Sequence, residues 1–311
     1  MRAVVIRSFG GPEVLKVEEV PVPRAGAGQV RIRVEAAGVN PVDVAVRTGA
    51  LVEGGLSERR EVHGLGWDVA GSVEEIGAGV TGFAPGDRVI ALSDRLDLSL
   101  GAYAEQIVLD ADAVAPAPAH ATSVQAATLP LNALTADQAI DFVGLAEGQT
   151  LLVTGAAGAV GGYAVELAVA RGLRVVAVAG AGDEDLVRGF GAEFFVSRGA
   201  ELGSAVRGLV PGGVHGAIDA AAIGTAALTA VRNGGSFAAV RGGAAPVALR
   251  GTRVANVWIR ADGARLAELA KLADDGRLTF RVAGTFPLDQ AAAAHERLAE
   301  GGLRGRLVLL T

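Results

Sequence analysis

The 311-residue chain contains no cysteine. Disulfides are therefore excluded, and so is any zinc site built on thiolates. A metal site would need the four histidines and the carboxylates. His63, His120, His215 and His295 fall in different segments. His63 lies near Glu61 and Asp68, yet it reads as a loop histidine, and no metal site is expected. Aromatics are scarce at 4%, whereas 45 residues are Gly and half the chain is hydrophobic. That composition suits closely packed α/β layers better than an all-β sandwich. Basic charge is not in excess: the formal net charge is −6. The chain offers no field to attract nucleic acid. Long apolar runs are missing too. The charge-free stretch 148–165 stops at Glu166 and its glycines cluster at one end, so it is not read as a membrane span. Arg7 interrupts the N-terminal apolar run too soon for a signal peptide. The expectation is a cytoplasmic protein with no membrane or nucleic-acid partner.

What is present is a glycine-punctuated turn in mid-chain. Residues 150–162 read Thr-Leu-Leu-Val-Thr-Gly-Ala-Ala-Gly-Ala-Val-Gly-Gly. A short apolar run ends in small residues, and a helical pattern follows through Ala164, Val165, Leu167 and Ala168. A strand, a tight turn and a helix of this kind can admit a pyrophosphate. Gly155 would make the turn, Gly158 would let the backbone approach the phosphates, and Gly161 would let the helix pack close. The backbone of Gly155, Ala157, Gly158, Ala159, Val160 and Gly161 is the candidate seat. The spacing is G-x-x-G-x-x-G, and Gly/Ala-rich helix starts also occur in α/β proteins that bind no nucleotide.

The first hundred-odd residues have another texture. Short Val-rich segments at 3–6, 15–19, 29–37, 69–76, 88–91 and 104–108 alternate with Gly/Pro turns, which implies a β-rich domain. From 123 to 142 the pattern is helical, with a break at Pro130. Strands and helices then alternate, with strands expected at 151–154, 174–178, 194–196, 217–219, 236–240 and 254–259. That is the pattern of a doubly wound parallel sheet. A helix at 263–273 closes the parallel-sheet pattern; the strand at 280–283, the helix at 288–298 and the strand at 305–310 that remain are too little for a third domain. The economical reading returns them to the first.

Five segments together resemble the zinc-independent quinone oxidoreductase branch of the medium-chain dehydrogenase/reductase superfamily. They are Asn40-Pro41-Val42-Asp43; Gly66-Trp67-Asp68-Val69-Ala70-Gly71, followed by Gly86-Asp87-Arg88-Val89; Gly101-Ala102-Tyr103-Ala104-Glu105; Leu134-Thr135-Ala136; and Gly302-Leu303-Arg304-Gly305-Arg306. The resemblance implies an α/β protein with a GroES-like β-rich catalytic domain (1–120 and 277–311) and a Rossmann NADP-binding domain (121–276). It implies an active site in the cleft between them. It also implies zinc-free hydride transfer from NADPH to a small-molecule acceptor, a quinone or an α,β-unsaturated carbonyl, and a homodimer formed through the sheet edge, which the apolar strand at 254–259 would permit.

The residues qualify that reading. NAD-binding Rossmann domains place Asp or Glu at the end of the second strand. Here that strand ends at Gly180, which carries no carboxylate to repel a 2′-phosphate. Asp183, Glu184 and Asp185 read as the acidic first turn of a helix. Arg198, past the third strand, is either a clasp for the 2′-phosphate or an ordinary surface Arg. NADPH is preferred to NADH on this pattern. Arg241, past the fifth strand, is a minor candidate for cofactor contact. Asn40 would orient substrate or cofactor, or simply serve the turn before Pro41. Thr135 would hydrogen-bond near the nicotinamide, or cap a helix. Asp43 reads as a loop anchor. Residues 44–51 contain no Tyr, and no side chain stands out as a general acid. A non-catalytic NADPH-binding sensor or structural protein, and an enoyl reductase acting on thioesters, are the alternatives.

Overall fold

Val30, Ile32 and Val34 alternate with Arg31, Arg33 and Glu35, and this period of two makes Gln29–Val39 the central strand of a seven-stranded sheet. The apolar set is buried, while Arg31 and Arg33 pair with Glu74 and Glu75 on the neighbouring strand. The computed structural model describes residues 1–311. It contains two compact units: 1–131 with 260–275 and 280–311, and 132–259 with 276–279.

In the first unit Gln29–Val39 pairs antiparallel with Asp68–Ile76, Gln106–Asp110 and the C-terminal strand Arg306–Leu310. Leu307 faces Val39 and Leu310 faces Ala36, so the tail of the chain completes the sheet. Val282–Pro287 adds a parallel strand outside it. A smaller sheet joins Lys16–Glu19, Arg2–Ile6 and His63–Gly64.

The helix Gly263–Asp274 belongs to this first unit, not to the parallel-sheet domain as the sequence pattern suggested. Its Asp274 carboxylate accepts the Ala119 and His120 N–H groups at 2.9 and 3.2 Å. Residues 121–131 are also part of it, so the divisions expected at 120/121 and 276/277 shift.

The second unit holds a six-stranded parallel sheet in the order Phe194–Ser197, Arg174–Ala179, Thr150–Thr154, Val214–Asp219, Val231–Ala239, Arg253–Asn256. In sequence rank this is 3-2-1-4-5-6, the doubly wound order whose direction reverses beside the first strand. Leu151, Leu152, Val153, Val175, Val176 and Ile218 are fully buried, as strands covered on both faces require. The sixth strand is shorter than the apolar run 254–259 implied, ending at Asn256. The helical stretch from 123 is split into Ser123–Ala126 and Pro130–Val143. Proline at the head of the second piece lacks an N–H that would be unpaired there anyway. No helix is long and apolar enough to cross a membrane.

Candidate active site

The glycine turn closes the first strand of the parallel sheet. Gly155 has φ 61°, a conformation that strains any residue with a Cβ. The helix Ala159–Ala170 starts at once, with Gly158 at its N-cap and no side-chain cap. The N–H groups at the start of a helix have no partner within it. Those of Ala159, Val160 and Gly161 are thus available to an anion, and the helix dipole favours one there. A Cβ on Gly161 would stand 2.1 Å from the Gly155 carbonyl oxygen, so the helix comes in tight against the loop.

One latch here escaped sequence reading. The Thr154 hydroxyl donates to the Asp219 carboxylate and accepts the Ala221 N–H at 3.1 Å. Asp219 also accepts the N–H groups of Ile223 and Gly224, at 3.2 and 2.7 Å. The ends of the first and fourth strands are joined at the point where strand order reverses. A Thr and an Asp each closing an apolar strand were the only sequence signal.

Gly180 follows the last residue of the second strand, Ala179, and leads into the 3₁₀ turn Ala181–Asp183. Arg198 Nη2 lies 3.4 Å from the point where a Gly180 Cβ would be, and Asp183 Oδ2 lies 2.9 Å from it. Arg241 is exposed beyond the fifth strand. Four inter-strand steps separate its strand from that of Arg198, roughly 19 Å at the usual spacing, so the two cannot grip one phosphate. Thr135 is buried inside the helix Pro130–Val143, so capping is not its role. These residues fit a dinucleotide: a backbone anion seat, a glycine-lined approach, and a cation at the end of the second strand.

In the first unit Asn40 follows the central strand and opens the helix Pro41–Thr48. Its backbone N–H donates to Asp43 Oδ2 at 2.8 Å, and its Nδ2 donates to Asp68 Oδ2 at 2.6 Å. Asp68 also accepts the Leu131 N–H at 2.6 Å, at the start of the helix Pro130–Val143. Asn40 Oδ1 is buried with no hydrogen-bond partner. Asp43 accepts the Gly66 N–H at 2.8 Å and the Tyr103 hydroxyl at 3.0 Å, which makes it the anchor of this loop. Burial pushes Asp43 up to about 7, against the pull of the Asn40 and Gly66 N–H groups and the Tyr103 hydroxyl. Burial raises Asp68 to about 6, opposed by Leu131, Asn40 and the charge of Arg306. Tyr103 stands 3.4 Å from His295 Nε2, and burial, aided by the charge of Arg47, lowers His295 to about 4.

A cleft of about 510 Å³ opens between 56–60 and 94–97, lined by Leu56, Ser57, Arg60, Asp94 and Leu96. A small cavity shares Ser57 and Leu96 with it and is also lined by His63, Trp67 and Ser93. Arg60 ties the two walls: Nη1 donates to the Leu96 and Leu98 carbonyls at 2.9 and 3.1 Å. Its N–H donates to His63 Nε2 at 3.1 Å.

Zinc does not fit the donors present. His63 Nε2 is occupied by Arg60, both Asp68 oxygens are engaged, and exposed Glu61 pairs with Arg7. No three His, Asp or Glu side chains converge as a metal site would require.

Two family models match the chain: the alcohol dehydrogenase GroES-like domain over residues 26–119 and the zinc-binding dehydrogenase over residues 190–309. A chloroplastic quinone-oxidoreductase homolog of Spinacia oleracea is 36% identical over 62% of the chain and 60% of its own length. The NADPH-dependent alkenal/one oxidoreductase of Arabidopsis thaliana is 30% identical over 99% of the chain and 79% of its length. A spectinabilin polyketide synthase system protein of Streptomyces orinoci is 33% identical over 96% of the chain but only 14% of that protein. The chain thus spans less than two thirds of the length of several curated relatives. Among solved structures, an NAD-dependent alcohol dehydrogenase superposes with TM-score 0.87 at 32% identity, covering all of both chains. A mycobacterial protein complexed with NADPH superposes with TM-score 0.85 at 29% identity, again over both chains in full. The chain belongs to the medium-chain dehydrogenase/reductase superfamily, in its quinone oxidoreductase branch.

Proposed function

We propose that this protein is a zinc-independent, NADPH-dependent oxidoreductase that reduces a quinone or an α,β-unsaturated carbonyl. The observation that carries the reading is the second unit's dinucleotide seat: a strained glycine turn, an uncapped helix start, and Arg198 at the end of the second strand. When bound, the nicotinamide coenzyme supplies the hydride. The N–H groups of Ala159, Val160 and Gly161 would hold the pyrophosphate, and Arg198 would pair with the 2′-phosphate. Asn40, held by Asp68, would offer Oδ1 as an acceptor near the reacting groups. The cleft of the first unit has the size for a small planar acceptor.

The chain's own residues bind and position rather than transfer protons. Tyr103 and Asp43 are buried against each other, and protonation of the reduced acceptor falls to water. An already polarised acceptor needs no Lewis acid. The outer strand Arg253–Asn256 leaves one sheet edge unpaired and supports homodimer formation through it.

Oxidation of NADPH by the purified protein, followed at 1:1 mixing against quinones, enones and enoyl thioesters in turn, tests this reading. Turnover of quinones or enones that survives a chelator is expected. Tight coenzyme binding without oxidation in any mixture would favour a non-catalytic sensor, turnover of thioesters alone would favour an enoyl reductase, and loss on chelation would overturn the exclusion of zinc.

A further inference from the structure

Gly180 does not leave the end of the second strand empty. The short 3₁₀ turn Ala181–Asp183 folds the chain back, with the Asp183 N–H donating to the Gly180 carbonyl at 2.9 Å. Asp183 precedes the helix Glu184–Gly189, yet its side chain caps none of that helix's N–H groups. It is instead buried, with Oδ2 2.9 Å from the place of a Gly180 Cβ. A side chain at 180 would force this carboxylate to shift. Glycine at this position thus makes room for a carboxylate delivered from three residues further on. Arg198 reaches the same point from the other side, its Nη2 at 3.4 Å, and its backbone N–H is held by the Ala179 carbonyl at 2.8 Å. An anion and a cation flank one spot at the strand end where a dinucleotide's adenosine ribose lies.

We infer that Asp183 is a specificity-determining residue that opposes Arg198, so that the site accepts NADH as well as NADPH. The inference rests on the proposed dinucleotide site. A carboxylate accepts a hydrogen bond from a ribose 2′-hydroxyl and repels a 2′-phosphate. A guanidinium does the reverse, pairing with the phosphate through charge-assisted bonds. Each residue therefore offsets the preference that the other would impose alone.

The test is equilibrium titration of wild type, Asp183→Asn, Arg198→Ala and the double variant with NADPH and NADH, read by protein fluorescence or calorimetry. Asp183→Asn keeps the side-chain volume and removes the charge. It is expected to tighten NADPH about tenfold and weaken NADH severalfold, while Arg198→Ala moves the ratio the other way. Titration with 2′,5′-ADP and with ADP isolates the 2′ group from the rest of the coenzyme and should repeat the shift. Asp183→Ser, with melting temperatures for every variant, separates loss of fold from loss of selectivity. An Asp183→Asn or Asp183→Ser protein that folds and changes both affinities equally, or neither, overturns the inference. A wild type that binds neither coenzyme overturns the underlying dinucleotide site instead.

Discussion

The Gly155 carbonyl oxygen lies 2.1 Å from where a Gly161 Cβ would be placed. No rotamer relieves that contact, because both partners are backbone. Gly161→Ala must push the helix Ala159–Ala170 away from the loop that it caps. Dinucleotide affinity should fall at least about tenfold, with a lower melting temperature. A variant titration curve that overlays wild type would show that the loop does not hold the coenzyme.

Arg198→Ala removes the cation at the end of the second strand but leaves the anion seat at Gly158–Gly161 intact. NADPH affinity should drop by about 10- to 100-fold, the usual worth of a charge-assisted bond, while NADH affinity holds or improves. An equal loss for both coenzymes would make Arg198 an ordinary structural residue.

His295 shapes acid stability. Burial and the charge of Arg47 hold it at about 4, and in an unfolded chain it titrates near 6.5. Between those values the unfolded state binds more protons, so stability is full above about pH 6.5 and declines as pH falls towards 4. The decline from this group is at most about 3 kcal/mol. Urea unfolding at pH 7 and pH 5 should show a smaller pH difference for His295→Gln than for wild type. An unchanged difference would mean that His295 does not carry it.

Asp43 acts with the opposite sign. Its folded value of about 7 lies above the ordinary carboxylate range, so its ionisation lowers stability as pH rises from about 4 to 7. The Tyr103 hydroxyl eases that cost by donating to the charged form. Tyr103→Phe should therefore cost about 1–2 kcal/mol at pH 8 and less at pH 5, where Asp43 is largely protonated. Denaturant curves at the two pH values check this, and a larger cost at pH 5 would contradict it.

Much of the fold was legible because its signals are local. Gly155, Gly158 and Gly161 announce a turn and a helix start within seven residues. The alternation of apolar segments announces six strands, and the Pro130 break was visible for the same reason. The helix Gly263–Asp274 was misplaced because its own pattern says only that one face is buried. The contact of Asp274 with Ala119 and His120 spans about 155 positions and decides where that face goes.

The site divides in the same way. Composition and spacing by themselves determined that this chain carries a glycine turn between a strand and a helix and no thiolate metal centre, and they pointed to a tail that returns to a β-rich unit. Only tertiary structure placed Asp68 on the Asn40 amide, Thr154 on Asp219, and Asp183 in the space that Gly180 vacates. Backbone propensity is set by neighbours along the chain, and glycine spacing records it directly. Which carboxylate meets which donor depends on strand register and loop closure, and these bring together residues that no local pattern links.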